Sequence, residues 1–418
     1  MVASIQIQSV ESLRVIVEST FASDATSSPG LGSFIYVPMN EGSASLTITK
    51  DELDPLFVVQ SRYQGREKVL GKKSATLKFA MDLAPTGTAA GSAVAAVQGA
   101  LGLLLKAVMG GEHLGTGTTF SAGWTAITGT VASGAGFLSG SWIGWTNASG
   151  VVEWRQCKLV SGNTITLAHG FSGTPSNGNV AYSAATYSYT EDPATTLQFV
   201  VRGQGSNDAW LLLGCQAPSG ISITVDPTGK AIPTVEFTFQ AANYLMAGQT
   251  AAAITGAIAV ATYTNYSPIV GFAGDFRVYT VGAPTLLTTS QIHISALSFA
   301  PKIAYVPVTS PSGTNTIYRW RGSRTMPPVE GTFTVFYEDL TWFNARDNLG
   351  DYAVSYTMGT AAGSAVVLAA NTVEILSPQR AASDQEIAGQ TVKYEGRRNS
   401  DTAATTDLAT SPVCIVLG

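Results

Sequence analysis

The sequence predicts a mainly β (α+β) fold: two β-sandwich or barrel modules, each with one packed helix, and a small inserted β domain. Three observations predict it. Short segments alternate apolar and polar residues with period two. Turn-forming residues, among them 43 Gly and 18 Pro, punctuate the chain at strand-like intervals. Helix-like stretches are confined to two places.

In chain order, a loop-rich charged segment (50–73) precedes a strand at 74–83, where Leu77, Phe79 and Met81 alternate with Thr76, Lys78 and Asp82. A helix is expected over 89–109. Lys106 is its only charge, and its length suits a membrane span. Gly91, Gly99, Gly102 and several alanines weaken its transfer energy, and no Lys/Arg asymmetry flanks it, so a buried or interface helix is favoured.

Residues 114–187 break the pattern. They are rich in Gly, Thr and Ser, hold Trp124, Trp142, Trp145 and Trp154, and carry only Glu153, Arg155 and Lys158 as charges. With strand signals at 152–160, 164–168 and 180–187, they read as the inserted domain. Strands at 195–203, 209–215, 220–226 and 231–241 complete the first module. The charge-free stretch 251–267 reads as a linker.

The second module repeats the order: a strand at 331–338, a helix at 339–348, and strands at 351–358, 364–369, 371–376 and 389–396. The endings TVEF (234–237) and TVKY (391–394) match. A diverged duplication follows, with module one formed by 1–113 and 188–250, the insert by 114–187, and module two by 251–418. The octapeptide GTAAGSAV, at 87–94 and 359–366, is not taken as a register marker. Its first copy leads into a helix and its second continues a strand.

Composition excludes several functions. Only 12% of residues are charged, about half the usual share, which argues against both a disordered chain and a solitary soluble monomer. The net charge of −5 is wrong for gripping phosphates. Cys157, Cys215 and Cys414 are odd in number and far apart, so buried inert thiols are expected. His113, His169 and His293 stand alone, away from metal-ligand spacing. No nucleophile elbow or phosphate loop occurs, so no enzyme, metal or cofactor is expected. The opening residues lack a basic region before an apolar core, so no signal peptide is read and synthesis is expected in the cytosol.

One charged cluster stands out. It includes Asp51, Glu52, Asp54, Arg62, Arg66, Lys68, Lys72 and Lys73. It reads either as a solvated loop or as an arm contacting acidic surface on a neighbouring subunit.

Three segments carry a family resemblance: ITKDELDPLFVVQSRYQGREKVLGKKSATLKFAMDL, a charged loop entering a strand; GISITVDPTGKAIPTVEFTFQAANY, a strand pair across a Pro/Gly turn; and EGTFTVFYEDLTWFNARD with YAVSYTMGTAAGSAVVL, a strand, helix and strand. Together they resemble the major tail tube proteins of long-tailed bacteriophages. The resemblance implies rings whose sheets join edge to edge around a lumen, and rings stacked into a tail. With two modules per chain it implies a homotrimer of pseudo-sixfold symmetry. It implies a virion location, assembly in the host cytoplasm, and tape measure, tail terminator and distal tail proteins as partners, with DNA passing unbound. The charged cluster becomes the inter-ring contact arm.

Under that resemblance, the apolar faces (Ile221, Ile223, Val225, Val235, Phe237, Phe239) pack on the helix side. The polar faces, Ser222, Thr224, Asp226, Glu236, Thr238 and Gln240, with Thr372, Glu374 and Glu395 in module two, line the lumen. The opposite orientation, polar face outward, stays open. The competing classes are a carbohydrate-binding or adhesin module stacking sugars on the insert's Trp residues, and another head or baseplate component.

Overall fold

A computed structural model of the chain describes residues 2–7, 10–53, 69–85, 99–190, 195–203, 208–226, 231–254, 269, 274–281, 286–287, 294–301, 305–309, 317–322, 329–335, 340–381, 389–398 and 407–418. Strands dominate, as expected.

The first half opens with β1 (Val2–Ile7), β2 (Val10–Val17), β3 (Ile35–Tyr36), β4 (Ser45–Leu53), β5 (Val69–Asp82) and α1 (Gly99–Met109). The interruption holds β6 (Gly110–Leu114), β7 (Thr118–Thr119), β8 (Thr128–Thr130), β9 (Trp142–Thr146), β10 (Val152–Ser161), β11 (Thr164–Leu167), β12 (Val180–Ser183) and β13 (Ala185–Tyr189). The half resumes with β14 (Leu197–Gly203), β15 (Ala209–Cys215), β16 (Ile221–Val225), β17 (Thr234–Ala241) and β18 (Asn243–Met246). The second half contains β19 (Asp275–Thr280), β20 (Ile294–Ala300), β21 (Tyr305–Thr309), β22 (Ile317–Gly322), β23 (Val329–Val335), α2 (Leu340–Asp347), β24 (Tyr352–Met358), β25 (Val366–Ala381), β26 (Gly389–Gly396) and β27 (Val413–Leu417).

Each half is a two-layer sandwich with the same strand order. In the first half, β4-β5-β17-β16 form an inner layer and β2-β14-β15-β18 an outer one. In the second, β20-β23-β26 and the end of β25 repeat the inner layer, while β19-β24, the start of β25 and β27 repeat the outer one. Even an irregularity recurs: the β14–β15 pairing slips just after Leu197↔Cys215, and β24–β25 slips just after Tyr352↔Val373. Bulges of this kind are specific local features, so their match fixes the alignment of the halves.

Aromatic rings lock the layers. Phe199 of the first outer layer lies 4.9 Å from Phe239 and 6.1 Å from Phe79. In the second half Phe276 lies 4.9 Å from Phe333, which meets Trp342 of α2 at 5.0 Å. α1 is buried nearly all round, which suits a helix apolar on every side. Residues 89–98 of the expected helix lie outside the described residues. No described helix is long and apolar enough to cross a membrane.

Several expectations need correction. Residues 50–53 and 69–73 are strand, not loop, and pair with one another. The strands expected at 364–369 and 371–376 are one 16-residue strand, β25, which bends from the outer layer into the inner one. The insert boundaries fall inside β6 and β13, which pair with each other and, through β13, with β27. Residues 359–366 lead from β24 into β25, a link whose first-half counterpart joins β14 to β15, so the octapeptide marks no repeat. Of the linker 251–267, only 251–254 are described, and Ile254 is buried against the first outer layer.

The insert forms its own sheet, β7-β12-β9-β10-β11-β8, over a core of Phe120, Trp124, Phe137, Trp145 and Phe171. Although it interrupts the first half in sequence, it sits on the second in space. Trp142 and Trp154 pack against Val367, Ala369, Cys414 and Val416 of β25 and β27.

Candidate assembly surface

The inner layers of the two halves are joined. β16 pairs antiparallel with β20 through Ile223↔Phe299, Thr224↔Ser298 and Val225↔Leu297. One row of opposed residues therefore crosses six strands without a break: Asp82, Thr234, Thr224, Ser298, Thr332 and Lys393. The adjacent row, Met81, Val235, Ile223, Phe299, Gly331 and Tyr394, is buried. Side chains alternate across a sheet, so this layer is apolar toward its core and polar on the other face over its whole width.

Most residues expected on the polar face lie there. Ser222, Thr224 and Glu236 are exposed, and Asp226, Thr238, Gln240, Glu374 and Glu395 are half-buried. Glu236 pairs with Lys78 at 2.7 Å, an exposed contact of little energetic weight. Asp226 lies just past the end of β16, close enough to the buried Tyr356 to help raise its pKa, after burial itself, and Thr372 is at 0% exposure. Thr372 lies before the bend of β25, in the stretch 365–373 that is buried throughout.

One feature of this face escaped the sequence reading. Glu330, Glu395 and Glu374 stand directly opposite one another on β23, β26 and β25. Like charges so placed repel. Arg397 offsets part of this, with Nη1 3.4 Å from Glu374 and a second contact to Asp351. The equivalent row of the first half, Thr76, Gln240 and Gln216, is neutral.

The charged cluster is divided. Asp51 and Glu52 lie on β4, Lys72 and Lys73 on β5, and Lys73 Nζ sits 5.4 Å from the centre of the Tyr244 ring. Asp54, Arg62, Arg66 and Lys68 lie outside the described residues. In the second half, the link between the equivalent strands β20 and β23 carries the β21–β22 hairpin. That hairpin reaches back to the first half, where Trp320 Nε1 donates to the Gly214 carbonyl at 2.8 Å.

A buried ionic cluster ties the insert to the second half. Arg155, 1% exposed, donates to Glu153 at 2.6 Å and to the carbonyls of Trp154 and Gly170. Asp275 of β19 lies 3.6 Å away and is held by Arg277. Burial lowers the Arg155 pKa to about 10, with Arg277 adding to the fall and Asp275 and Glu153 opposing it. Burial pushes the Glu153 carboxyl up, but Ser172, Arg155 and Asn147 together hold it below its usual value. His169, buried 4.8 Å from the Tyr279 ring, is kept well below its usual pKa by burial and by both arginines. The signal for this cluster was present in the sequence: opposite charges two residues apart share one face of a strand.

The three thiols are buried. Burial raises Cys157 and Cys414 to about 12, and Cys215 well above its usual value. Trp124, Trp142, Trp145 and Trp154 are 6%, 0%, 7% and 1% exposed, so none presents an indole face to a sugar.

No protein-family model matches the chain, and no curated protein matches it.

Proposed function

We propose that the chain is a structural subunit that joins copies of itself edge to edge into rings around a lumen, as the tail tube proteins of long-tailed bacteriophages do. The seam between β16 and β20 carries this reading. It is a junction between two copies of one module, made inside one chain, and the same operation repeated between chains closes a ring. Closure removes the sheet edges that otherwise invite aggregation.

The dimensions are suitable. Eight strands run from β4 to the end of β25 in each copy. At roughly 4.8 Å per strand, three copies span a circumference of roughly 115 Å before tilt, which leaves a water-filled lumen. The polar face lines it. The glutamate row, costly to the isolated sheet, then serves to repel DNA phosphates. The low charge content fits a chain whose flanks are covered by other copies.

Electron microscopy of the purified protein tests this: hollow rings or tubes are expected, and monodisperse single copies contradict it. With Asp226→Lys and Glu236→Lys together, rings of normal size are expected that retain DNA; rings equally free of DNA count against a lumen-facing polar sheet.

A further inference from the structure

The two inner layers differ at one place. On β20, the edge away from β23 is taken by β16. On β4, the strand equivalent to β20, the edge away from β5 is taken by β1, within the same half.

The alignment of the halves can be carried residue by residue. Gln216↔Gln240 follows the first bulge and Glu374↔Glu395 follows the second. Hence Phe239, opposite Leu77, corresponds to Tyr394, opposite Gly331, so the endings TVEF (234–237) and TVKY (391–394) are two residues out of register and are not equivalent. Leu46, opposite Leu77, corresponds to Phe299, opposite Gly331. On the other strand, Ile221 opposite Phe237 corresponds to Pro378 opposite Val392, and Ile223 opposite Val235 to Arg380 opposite Gln390.

Since Ile223 meets Phe299 at the internal seam, the same seam between two chains sets Arg380 of one copy against Leu46 of the next, Gln379 against Thr47 and Pro378 against Ile48. Those β4 positions are already paired with Ile7, Gln6 and Ile5 of β1, in the same antiparallel sense. Among the described residues, the end of β25 pairs only with β26. It carries Pro378, which has no N–H to offer and suits an edge strand.

We propose that β1 is an intramolecular cap on the ring-joining edge of β4, displaced when residues 375–381 of a second copy pair there. This rests on the edge-to-edge reading above. A capped edge keeps a freshly made chain from pairing indiscriminately, and its exchange for an equivalent strand conserves the ladder hydrogen bonds except the one that Pro378 cannot donate.

The test uses the full chain with Gln6→Cys and Thr47→Cys, opposed residues within disulfide reach; the native thiols are buried. Assembly is followed by light scattering against concentration, and unchanged melting of the reduced double variant establishes that it folds. The oxidised variant is expected to stay a single copy where the unsubstituted chain assembles, and to assemble once reduced. A chain lacking residues 2–7 is expected to assemble at about tenfold lower concentration, equivalent to about 1.4 kcal/mol. If the oxidised variant assembles as readily as its reduced form, the cap is refuted while self-assembly stands. If neither the unsubstituted nor the shortened chain assembles, self-assembly fails and the cap with it.

Discussion

The two halves share a strand order but not a core. Where the first sets Leu77 against Phe239, the second sets Gly331 against Tyr394, and a Cβ on Gly331 would stand 2.1 Å from the Tyr394 ring. Where the first sets Phe79 against Phe237, the second sets Phe333 against Val392. Volume moves from one strand to its neighbour while the pairing stays. The difference teaches that this fold is specified by which residues oppose each other and which face they share, with side-chain identity free to drift so long as the space is filled.

The sharpest way to break that equivalence is to hollow each core at the matching position. Phe79 and Phe333 are both fully buried. Phe79→Ala and Phe333→Ala should each cost about 3–5 kcal/mol in urea unfolding. Matching losses support equivalent cores. A loss confined to one half would mean that the other no longer depends on its central ring.

A smaller effect comes from the insert, which only the second half carries on its outer face. Arg155→Met should cost about 3 kcal/mol, since it leaves the buried Glu153 carboxylate without its cationic partner, held only by Ser172 and Asn147. The pH dependence has a definite sign. The folded-state pKa of Glu153 lies below its usual value. Its contribution is therefore complete above about pH 4.3 and fades as the pH falls through that lower folded value. Melting measured from neutral to acid pH should show this loss, and Glu153→Gln should flatten that part of the curve. An unaltered curve would show that the pair does not hold the insert down.

The layers were unequally legible in the sequence. β16, β17, β5 and β26 announce themselves because one face is wetted and the other packed, as in the alternating burial of Ile221–Val225. β13, β24 and β27 are buried on both faces along their whole lengths, so period two vanishes where the insert and the core cover both sides. For the same reason β27 was missed, and the bend in β25 was taken for a gap between strands, which misplaced Thr372. β19 was missed although Phe276 and Val278 alternate with the less buried Asp275 and Arg277. The charges at 50–53 and 69–73 suggested a loop, but these residues are paired strand; charge content alone does not tell a loop from an extended strand pair. The glutamate row was not readable because strand pairing brings together Glu330, Glu374 and Glu395 from distant segments.

The central claim is that the junction inside the chain is repeated between chains. Disulfide cross-linking of the assembled full chain carrying Thr47→Cys and Gln379→Cys tests it most directly, because only a copy-to-copy seam in the register of β16 and β20 sets these residues opposite each other. A ladder of linked species that ends at three copies is the expected result. Assembled material that forms no link between copies at these positions would contradict it.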